Sequence, residues 1–331
     1  MLPGETPLSV IMDYMGVVLG FFEMVLGLLL FLVSQNRIKS FLKSLRKIDR
    51  VETELMMEDD DYEKHFHRLA ISLMMFDCFC LVRNNSNPIA LKSNDIHVIL
   101  WMWYGLLGLT PSNTVILFVW VVAIVQGKFC RLNGRIKSFI DNDLIARSHG
   151  TGGASSGIVE NPSYLFCQKI NMVSLLHREL RHAIHLIEQH FAILVLLNSV
   201  KLLLSFTSSA HITYRYLKNR EYYTWDDLIY TLHTSGWVAT PVVVMCAISN
   251  VCGSTRDEAN DTGNLLHALL NDCQMCDNLR KLPKLDIALL DLMQNKTKMC
   301  LLGFVDLNYF LVYSMTATAA GYLTIMLQFY D

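Results

Sequence analysis

The chain has 331 residues, of which 52% are hydrophobic and only 18% are charged, and its formal net charge is −2. Because soluble domains carry about 25% charged residues, this composition excludes an ordinary soluble protein and indicates several membrane spans. The net charge itself identifies no partner, and we expect a lipid bilayer rather than a nucleic acid around the chain.

The amino terminus lacks the features of a secretory signal peptide. No Lys or Arg precedes the first apolar run, and Glu5 and Asp13 stand there instead. The nine cysteines all lie outside the segments that are predicted below to be extracellular, which argues against a disulfide framework. Cys273 and Cys276 form a single C-x-x-C pair with no second pair, so we expect no metal site there.

Six segments are long and apolar enough to span a bilayer. They are residues 14–33, 66–82, 96–125, 190–212, 228–252 and 299–329. The second is short and is interrupted by Asp77. The third is over-long and contains Pro111, which should kink it or split off a separate turn.

The Lys and Arg residues are concentrated in alternate loops. The loops on one side of the predicted membrane hold 22 of them, those on the other side hold 5, and Lys201 lies inside a span. By the positive-inside rule the side with 22 is cytoplasmic, which places both ends of this chain outside the cell. A G-protein-coupled receptor ends in the cytoplasm, so this orientation excludes that class.

The predicted topology divides the chain into successive segments. They are residues 1–125 with three spans and a basic cytoplasmic loop, 126–189 with cytoplasmic helices and a flexible Gly/Ser linker, 190–252 with two spans, 253–298 with further cytoplasmic helices, and 299–331 with the last span. Because no Gly-Lys-Ser/Thr follows the glycines of the linker, we expect no nucleotide site there.

Residues 163–190 predict a helix that continues below the bilayer. Their apolar residues recur every three or four positions and run without a breaker into the fourth span. Such a face needs an apolar partner, which the leucines of residues 263–298, including Leu289 and Leu292, supply. The predicted fold class is therefore all-α, a polytopic membrane helical bundle whose helices extend into the cytoplasm.

Four ionisable residues fall within the predicted spans. They are Glu23, Asp77, Lys201 and Asp306. Since a charge at the bilayer centre costs roughly 2.5–3.5 kcal/mol on insertion scales, each needs a physical reason to be there. One is an ion path or a ligand site. The other, which we favour, is pairing between helices or a position close to water.

Four histidines, His177, His182, His185 and His190, cluster in sequence but do not form a metal site. On a helix that turns about 100° per residue they point in different directions. No Ser-His-Asp or His-Glu-x-x-His arrangement occurs in the chain either. We therefore predict no catalytic site, no metal and no cofactor, which means a protein that is not an enzyme.

The last span carries small and polar residues along one face. They recur at spacings of 4, 3, 3 and 4 and are Ser314, Thr318, Gly321, Thr324 and Gln328, with Ile325 on the same side. Such a face can serve tight helix packing through small residues. It can also be a pore wall with water along it. A pore wall accounts for a glutamine near the outer end, which packing alone does not require.

Aromatic and histidine side chains gather in the outer halves of the spans. Those that could line a pocket for a small molecule are Trp101, Tyr104, Phe206, His211, Tyr230, His233 and Trp237. Several would instead belong to the aromatic belt at the membrane surface. The sequence does not decide which of them face inward.

The end of the chain resembles the carboxy-terminal signature of insect gustatory receptors, which is Thr-Tyr, five mostly hydrophobic residues and Gln-Phe. Tyr322, Gln328 and Phe329 match it, and Gly321 stands where the threonine usually is. A second stretch, beginning at residue 252, resembles the region after the family's sixth span.

The resemblance implies a seven-span receptor that assembles, as a homo- or hetero-tetramer with other gustatory receptor subunits, into a ligand-gated non-selective cation channel. The last helix would line the pore, and the cytoplasmic helices would form an anchor domain that holds the subunits together. The implied ligand is a small-molecule tastant, and the implied location is the plasma membrane with an extracellular carboxy terminus. The six predicted spans match the family's second to seventh, so we expect the first span to be absent from this sequence.

The sequence also bears on the class of ligand and on two alternative functions, a transporter and an integral membrane enzyme. The family's sugar-sensing branch has Glu directly after the motif tyrosine, where this chain has Leu323, which favours a non-sugar tastant. A transporter would need an internal repeat or broken helices at the midplane, and neither is visible. An integral membrane enzyme would need converging ligands, which the histidines do not provide.

The charge distribution makes the position of the carboxy terminus testable. An epitope tag placed after Asp331 should bind antibody on intact cells, because the 22-to-5 split of Lys and Arg places that end outside. A tag at the amino terminus should also be outside, unless an upstream span restores a cytoplasmic amino terminus. A carboxy-terminal tag that is reached only after permeabilisation would end the gustatory-receptor interpretation.

Overall fold

The computed structural model describes residues 7–33, 35–55, 95–148, 162–218, 225–272, 296–303 and 305–328, with residues 68, 71, 75, 290 and 294 standing singly. The helices are α1 Pro7–Val33, α2 Gln35–Glu54, α3 Asp95–Ser148, α4 Pro162–Lys218, α5 Trp225–Asp272 and α6 Tyr309–Gln328. Two short strands, β1 Cys300–Leu301 and β2 Val305–Asp306, precede α6. The predicted all-α membrane bundle is confirmed, with this one hairpin added.

Three helices are much longer than a bilayer is thick. α3, α4 and α5 contain 54, 57 and 48 residues, so at about 1.5 Å per residue each exceeds 70 Å against a hydrocarbon core of about 30 Å. α4 joins residues 163–190 to the following span without interruption, as predicted. α3 continues through Pro111, so the separate turn that was one of our two expectations there does not form.

Within the described part of the chain, three stretches are long and apolar enough to cross a membrane. They are Asn113–Phe139 in α3, Gln168–His211 in α4 and Val238–Ala268 in α5. α1 contributes a shorter apolar stretch, Val18–Gly27. The predicted span 66–82 and the leucines Leu289 and Leu292 lie outside the described residues.

Most of the large, fully buried side chains lie where α3, α4 and α5 continue past their predicted spans. Those less than 2% exposed there are Phe129, Leu132 and Ile136 of α3, Leu176 and Leu180 of α4, and Leu266 of α5, while Phe118, His211 and Ile248 are as buried within predicted spans. The apolar face predicted for residues 163–190 is buried in its described part, from Ile170 to Ile187. The buried core therefore extends from the predicted spans into the segments that we predict to lie beneath the membrane.

Polar side chains join the same three helices inside this core. Asn133 of α3 donates its amide to the backbone oxygen and to the carboxylate of Glu258 on α5, both at 2.8 Å, and accepts from the Thr262 hydroxyl at 2.7 Å. His177 Nε2 of α4 donates to the backbone oxygen of Ala259 at 3.0 Å. Because buried polar groups must be paired, these bonds fix how α5 is rotated against α3 and α4. His177 thus has a structural partner.

Ion pairs fasten α2 to the neighbouring helices. Lys128 of α3, which is buried, lies 2.6 Å from Asp49 Oδ1 and 2.7 Å from Glu52 Oε2. Lys47 lies 2.6 Å from Glu179 of α4, with about half of its side chain exposed (49%). α2 is thereby held along α3 and α4 rather than projecting alone.

Replacing Lys128 with Met should destabilise the protein strongly. Removing one partner of a buried ion pair costs up to about 3–5 kcal/mol, and Glu52, with only 10% of its side chain exposed, would keep only Arg131 at 3.7 Å. Arg256→Met is the control, since its pair with Asp257 is exposed on both sides (38% and 66%) and contributes about 0–1 kcal/mol. Thermal unfolding of the purified proteins in detergent measures the difference, and equal losses for the two variants would contradict it.

Candidate functional site

The chain enters its last helix through a hairpin, which we call the strap and define as residues 296–308. The two strands are antiparallel, with Cys300 opposite Asp306 and Leu301 opposite Val305. Leu302 and Gly303 form the turn with φ of 52° and 80°, a left-handed region that glycine adopts freely and leucine rarely.

The strap replaces the first part of the predicted last span, which began at Met299. Met299, Leu301 and Leu307 are no more than 3% exposed because they pack into the bundle core, not against lipid. α6 then begins at Tyr309, where the side chain of Asn308 accepts a hydrogen bond from the Phe310 amide at 2.9 Å. This is the bond of a helix N-cap, so Asn308 sets the start of the membrane helix.

Hydrogen bonds tie the strap to both helices beneath it. Glu188 Oε1 of α4 accepts from the Cys300 amide at 2.9 Å. Asn260 of α5 pairs with the backbone of Thr297, accepting from its amide at 2.8 Å and donating to its carbonyl at 3.2 Å. The Tyr309 hydroxyl donates to Asn250 Oδ1 at 3.1 Å. α6 is therefore mounted on a segment whose position α4 and α5 determine.

Asp306, one of the four ionisable residues that the sequence placed in a span, lies in the strap. It is exposed, and its carboxylate accepts from the Cys300 thiol at 2.8 Å. Partial burial and this carboxylate raise the pKa of Cys300 to about 11, so the thiol remains protonated and donates at neutral pH. Asp306 thus lies on the surface of the hairpin rather than within a membrane helix.

α6 packs against the rest of the chain along one face only. Ala319 is 1% exposed, and Leu311, Val312 and Met315 pack against the core. The small and polar residues predicted for the pore wall, Ser314, Thr318, Gly321, Thr324 and Gln328, point away from the centre of that face, Thr318 by about 75° and the others by about 115–165°. They are exposed, with Ser314 partly buried.

The exposed face of α6 does not serve packing within the chain. A Cβ added to Gly321 would meet nothing within 4 Å, and Ile325 is 49% exposed. Tyr322 is 53% exposed. Phe329 lies outside the described residues.

The hydroxyl groups on this face are turned into hydrogen-bond acceptors. Ser314, Thr318 and Thr324 each donate to the carbonyl oxygen four residues earlier, at 2.8, 2.7 and 2.9 Å. A hydroxyl has one donor and two acceptor positions. Because the donor of each hydroxyl is already used, only oxygen lone pairs remain to form hydrogen bonds on the exposed side. The face therefore offers partial negative charge without a formal charge.

Phe206, one of the predicted pocket residues, lines an apolar cleft where α4 and α5 meet α6. The cleft also includes Pro241 and Met245 of α5 and Met315 and Thr316 of α6. His211 is fully buried. The side chains of the other predicted pocket residues, Trp101, Tyr104, Tyr230, His233 and Trp237, lie outside the described ones, although their backbones belong to α3 and α5.

Two of the predicted intramembrane charges lie close together. Glu23 of α1 is 2% exposed, and neither carboxylate oxygen has a hydrogen-bond partner within the described part of the chain. Lys201 of α4 lies beside Gly20, one turn before Glu23, with Nζ 3.7 Å from the position of an added glycine Cβ. The two residues are thus near neighbours on adjoining helices, and their pairing stays a prediction. Asp77 lies outside the described residues.

Sequence reasoning missed the residues that hold the strap. Glu188 and Thr297 gave no signal, because their partners are separated from them by 112 and 37 residues. Asn260 likewise gave no local signal for its pairing with the backbone of Thr297. The turn at Gly303 was the one local signal that could have indicated a break in the apolar run.

Comparison with known proteins identifies relatives of the whole chain. The family model described as 7tm chemosensory receptor matches residues 5–331. No curated protein sequence matches. A solved structure of the insect olfactory receptor OR5 from Machilis hrabei is similar with a TM-score of 0.60 and 11% identity, covering 98% of this chain and 82% of that one. The structure of that receptor in complex with eugenol gives a TM-score of 0.65, 11% identity, and coverage of 98% and 83%.

The bond between Glu188 and the strap can be tested by two substitutions. Glu188→Ala leaves the Cys300 amide without its acceptor and should lower the free energy of unfolding by about 1–3 kcal/mol. Glu188→Gln keeps a carbonyl oxygen at the same position and should stay within about 1 kcal/mol of the wild type. The free energy of unfolding of both purified variants, measured in detergent solution, tests this. Equal losses for the two variants would show that the carbonyl oxygen at position 188 does not stabilise the strap.

Proposed function

The chain belongs to the 7tm chemosensory receptor family, and we propose that it is a gustatory receptor that acts as a ligand-gated, non-selective cation channel. The observation that carries the proposal is the exposed face of α6. It carries hydroxyls and an amide beside Phe310 and Ile325, it is not packed against the described part of the chain, and no Lys, Arg, Asp or Glu occurs between Tyr309 and Gln328.

Such a face is poorly suited to lipid. Its hydroxyl oxygens and the amide of Gln328 would lie unsatisfied in hydrocarbon, at a cost that water or a second protein surface removes. Four copies of α6 around a common axis would turn these faces toward one another and toward a water-filled path. The proposed pore residues are Gln328, Ile325, Thr324, Gly321, Thr318 and Ser314.

The chemistry of the face supports weak selectivity among cations. Oxygen lone pairs and a neutral amide can replace part of a cation's hydration shell. Because no carboxylate is present on α6, a cation would not be held tightly. A path of this kind would favour cations over anions without choosing strongly among the cations.

The assignment to taste and the ligand class rest on the carboxy-terminal sequence. Tyr322, Gln328 and Phe329 match the gustatory-receptor signature, and Leu323 favours a non-sugar tastant. The related olfactory receptor has been solved with eugenol, which supports a small organic ligand for this chain also. We propose that the ligand binds in the outer half of the bundle, near Phe206 and His211.

Contacts between α4 and α6 supply a route from ligand to pore. Phe206 shares a cleft with Met315 and Thr316, so a ligand that displaces Phe206 would act on the packed face of α6 directly. The opposite face of the same helix is the proposed pore wall. We expect α6 to take one position in the closed channel and another in the open channel. A ligand that binds more tightly when α6 is in one of these positions would shift the equilibrium between closed and open channels.

Changing Gln328 to Arg should suppress ligand-evoked cation current while surface expression persists. In a tetramer this places four like charges around the axis, and like charges in a narrow path repel permeating cations. Whole-cell current and surface labelling measure the two quantities. Gln328→Asn, which keeps the amide, is the matched control and should conduct.

Cysteine at position 328 should react with a water-soluble thiol reagent when ligand opens the channel. Ala319→Cys provides the control, because Ala319 is 1% exposed on the packed face of the same helix and should remain unmodified. A Gln328→Cys channel that conducts fully and is never modified would show that α6 does not line the pore.

A further inference from the structure

Helix α2 carries a row of basic side chains on its outward face. Lys39, Lys43, Arg46 and Arg50 are spaced by four, three and four residues and are all exposed. On a helix of about 100° per residue they fall within roughly 60° of one another. We call these four side chains the basic stripe.

The opposite face of α2 is fixed against the bundle, so the direction of the basic stripe is fixed as well. Ile48, Val51 and Leu55 are buried. The Ser44 hydroxyl donates to the carbonyl oxygen of Glu179 on α4 at 3.5 Å. α2 cannot rotate to hide the stripe without exposing these residues.

Within the described part of the chain, the cations of the stripe have no acidic partner. Among the described residues, no carboxylate lies within 4.0 Å of any of the four, whereas the other two basic residues of α2 are engaged. Lys47 pairs with Glu179, and Arg37 donates to the carbonyl of Gln189 at 3.3 Å.

The described acidic side chains on or beside α2 do not cancel the stripe. Asp49 is exposed but its carboxylate is taken by Lys128. Glu54, one turn beyond Arg50, is exposed and offsets only the far end of the stripe.

The stripe begins where the chain leaves the predicted membrane. α1 ends at Val33 and α2 begins at Gln35, and Arg37 contacts Gln189, the last residue before the fourth predicted span. Along the helix Lys39 follows Arg37 by about 3 Å and Lys43 by about 9 Å. The headgroup layer of one leaflet is about 5–7 Å thick, so both lysines can reach it with their side chains.

We propose that the basic stripe binds anionic phospholipid headgroups of the cytoplasmic leaflet, and binds best those that carry several phosphates. Clusters of Lys and Arg directly after a membrane helix are attracted to such lipids. Arg46 and Arg50 lie further from the bilayer, where only a large headgroup extends. Leu42, which is 49% exposed beside the stripe, can rest against the apolar boundary. This goes beyond the channel function and depends only on the predicted cytoplasmic position of α2.

Binding should be measured with the purified full chain in detergent and a short-chain phosphatidylinositol bisphosphate as the probe. The double variant K39Q/K43Q should bind it about 25-fold more weakly, because each cation near an anionic surface contributes about fivefold. K39R/K43R keeps both charges and should bind like the wild type. Raising the ionic strength should weaken binding to the wild type.

Three controls are needed. They test whether any exposed basic residue would serve, whether the lipid adsorbs non-specifically, and whether the variants are folded. K137Q/R178Q removes two exposed cations from α3 and α4 and should leave binding unchanged. Short-chain phosphatidylcholine should not bind. Each variant should elute as the wild-type oligomer, which excludes unfolding.

Two results would overturn the proposal. One is equal binding of the bisphosphate lipid by K39Q/K43Q and the wild type. The other is binding of soluble inositol trisphosphate as tight as that of the lipid, since the ligand would then be a free polyphosphate.

Discussion

Within lipid, an apolar side chain gains little by leaving hydrocarbon for a neighbouring helix, because both surroundings are equally apolar. Beneath the bilayer the same side chain faces water and gains about 25 cal/mol for each Å² that it buries. Phe129, Leu176 and Leu266, each less than 2% exposed, lie in the segments of α3, α4 and α5 that we predict to lie there. The packing of these three helix segments against one another provides the surface on which α2 and the strap are held. Through the strap, the same packing positions α6.

The helices and their buried faces followed from the sequence because periodicity is a local property. The face from Ile170 to Ile187 is buried as its spacing predicted, and the polar face of α6 is exposed as its spacing allowed. The strap did not follow, because Met299 and Leu301 are as apolar as lipid-facing residues. What turns them inward is the distant partner Glu188, which periodicity does not reveal. Five of the seven predicted pocket side chains lie outside the described ones, so the pocket stays a prediction.

In the proposed pore, the position of α6 is closely defined, whereas the chemistry of its exposed face discriminates little among ions. Asn308 starts α6 and Asn250 binds Tyr309, so the inner end of the helix is held by directional bonds. The outward face beyond it has hydroxyls, an amide and small side chains, together with Phe310 and Ile325. A face of this kind binds no particular ion strongly. Ion permeation should therefore depend more on the position of α6 than on which residues form its exposed face.

The uninterrupted length of α4 has a mechanical consequence. α4 contains proline only at its first residue, Pro162, whereas α5 contains Pro241 in its interior, where a missing backbone bond permits a bend. A stiff rod of about 85 Å that pivots by about 3° near its middle moves each end by about 2 Å, the size of helix shifts that switch other assemblies. α4 can thus act as a lever that carries a small displacement from its outer end to its inner end near Pro162, with Glu188 and the strap close to the pivot, while α5 can bend at Pro241.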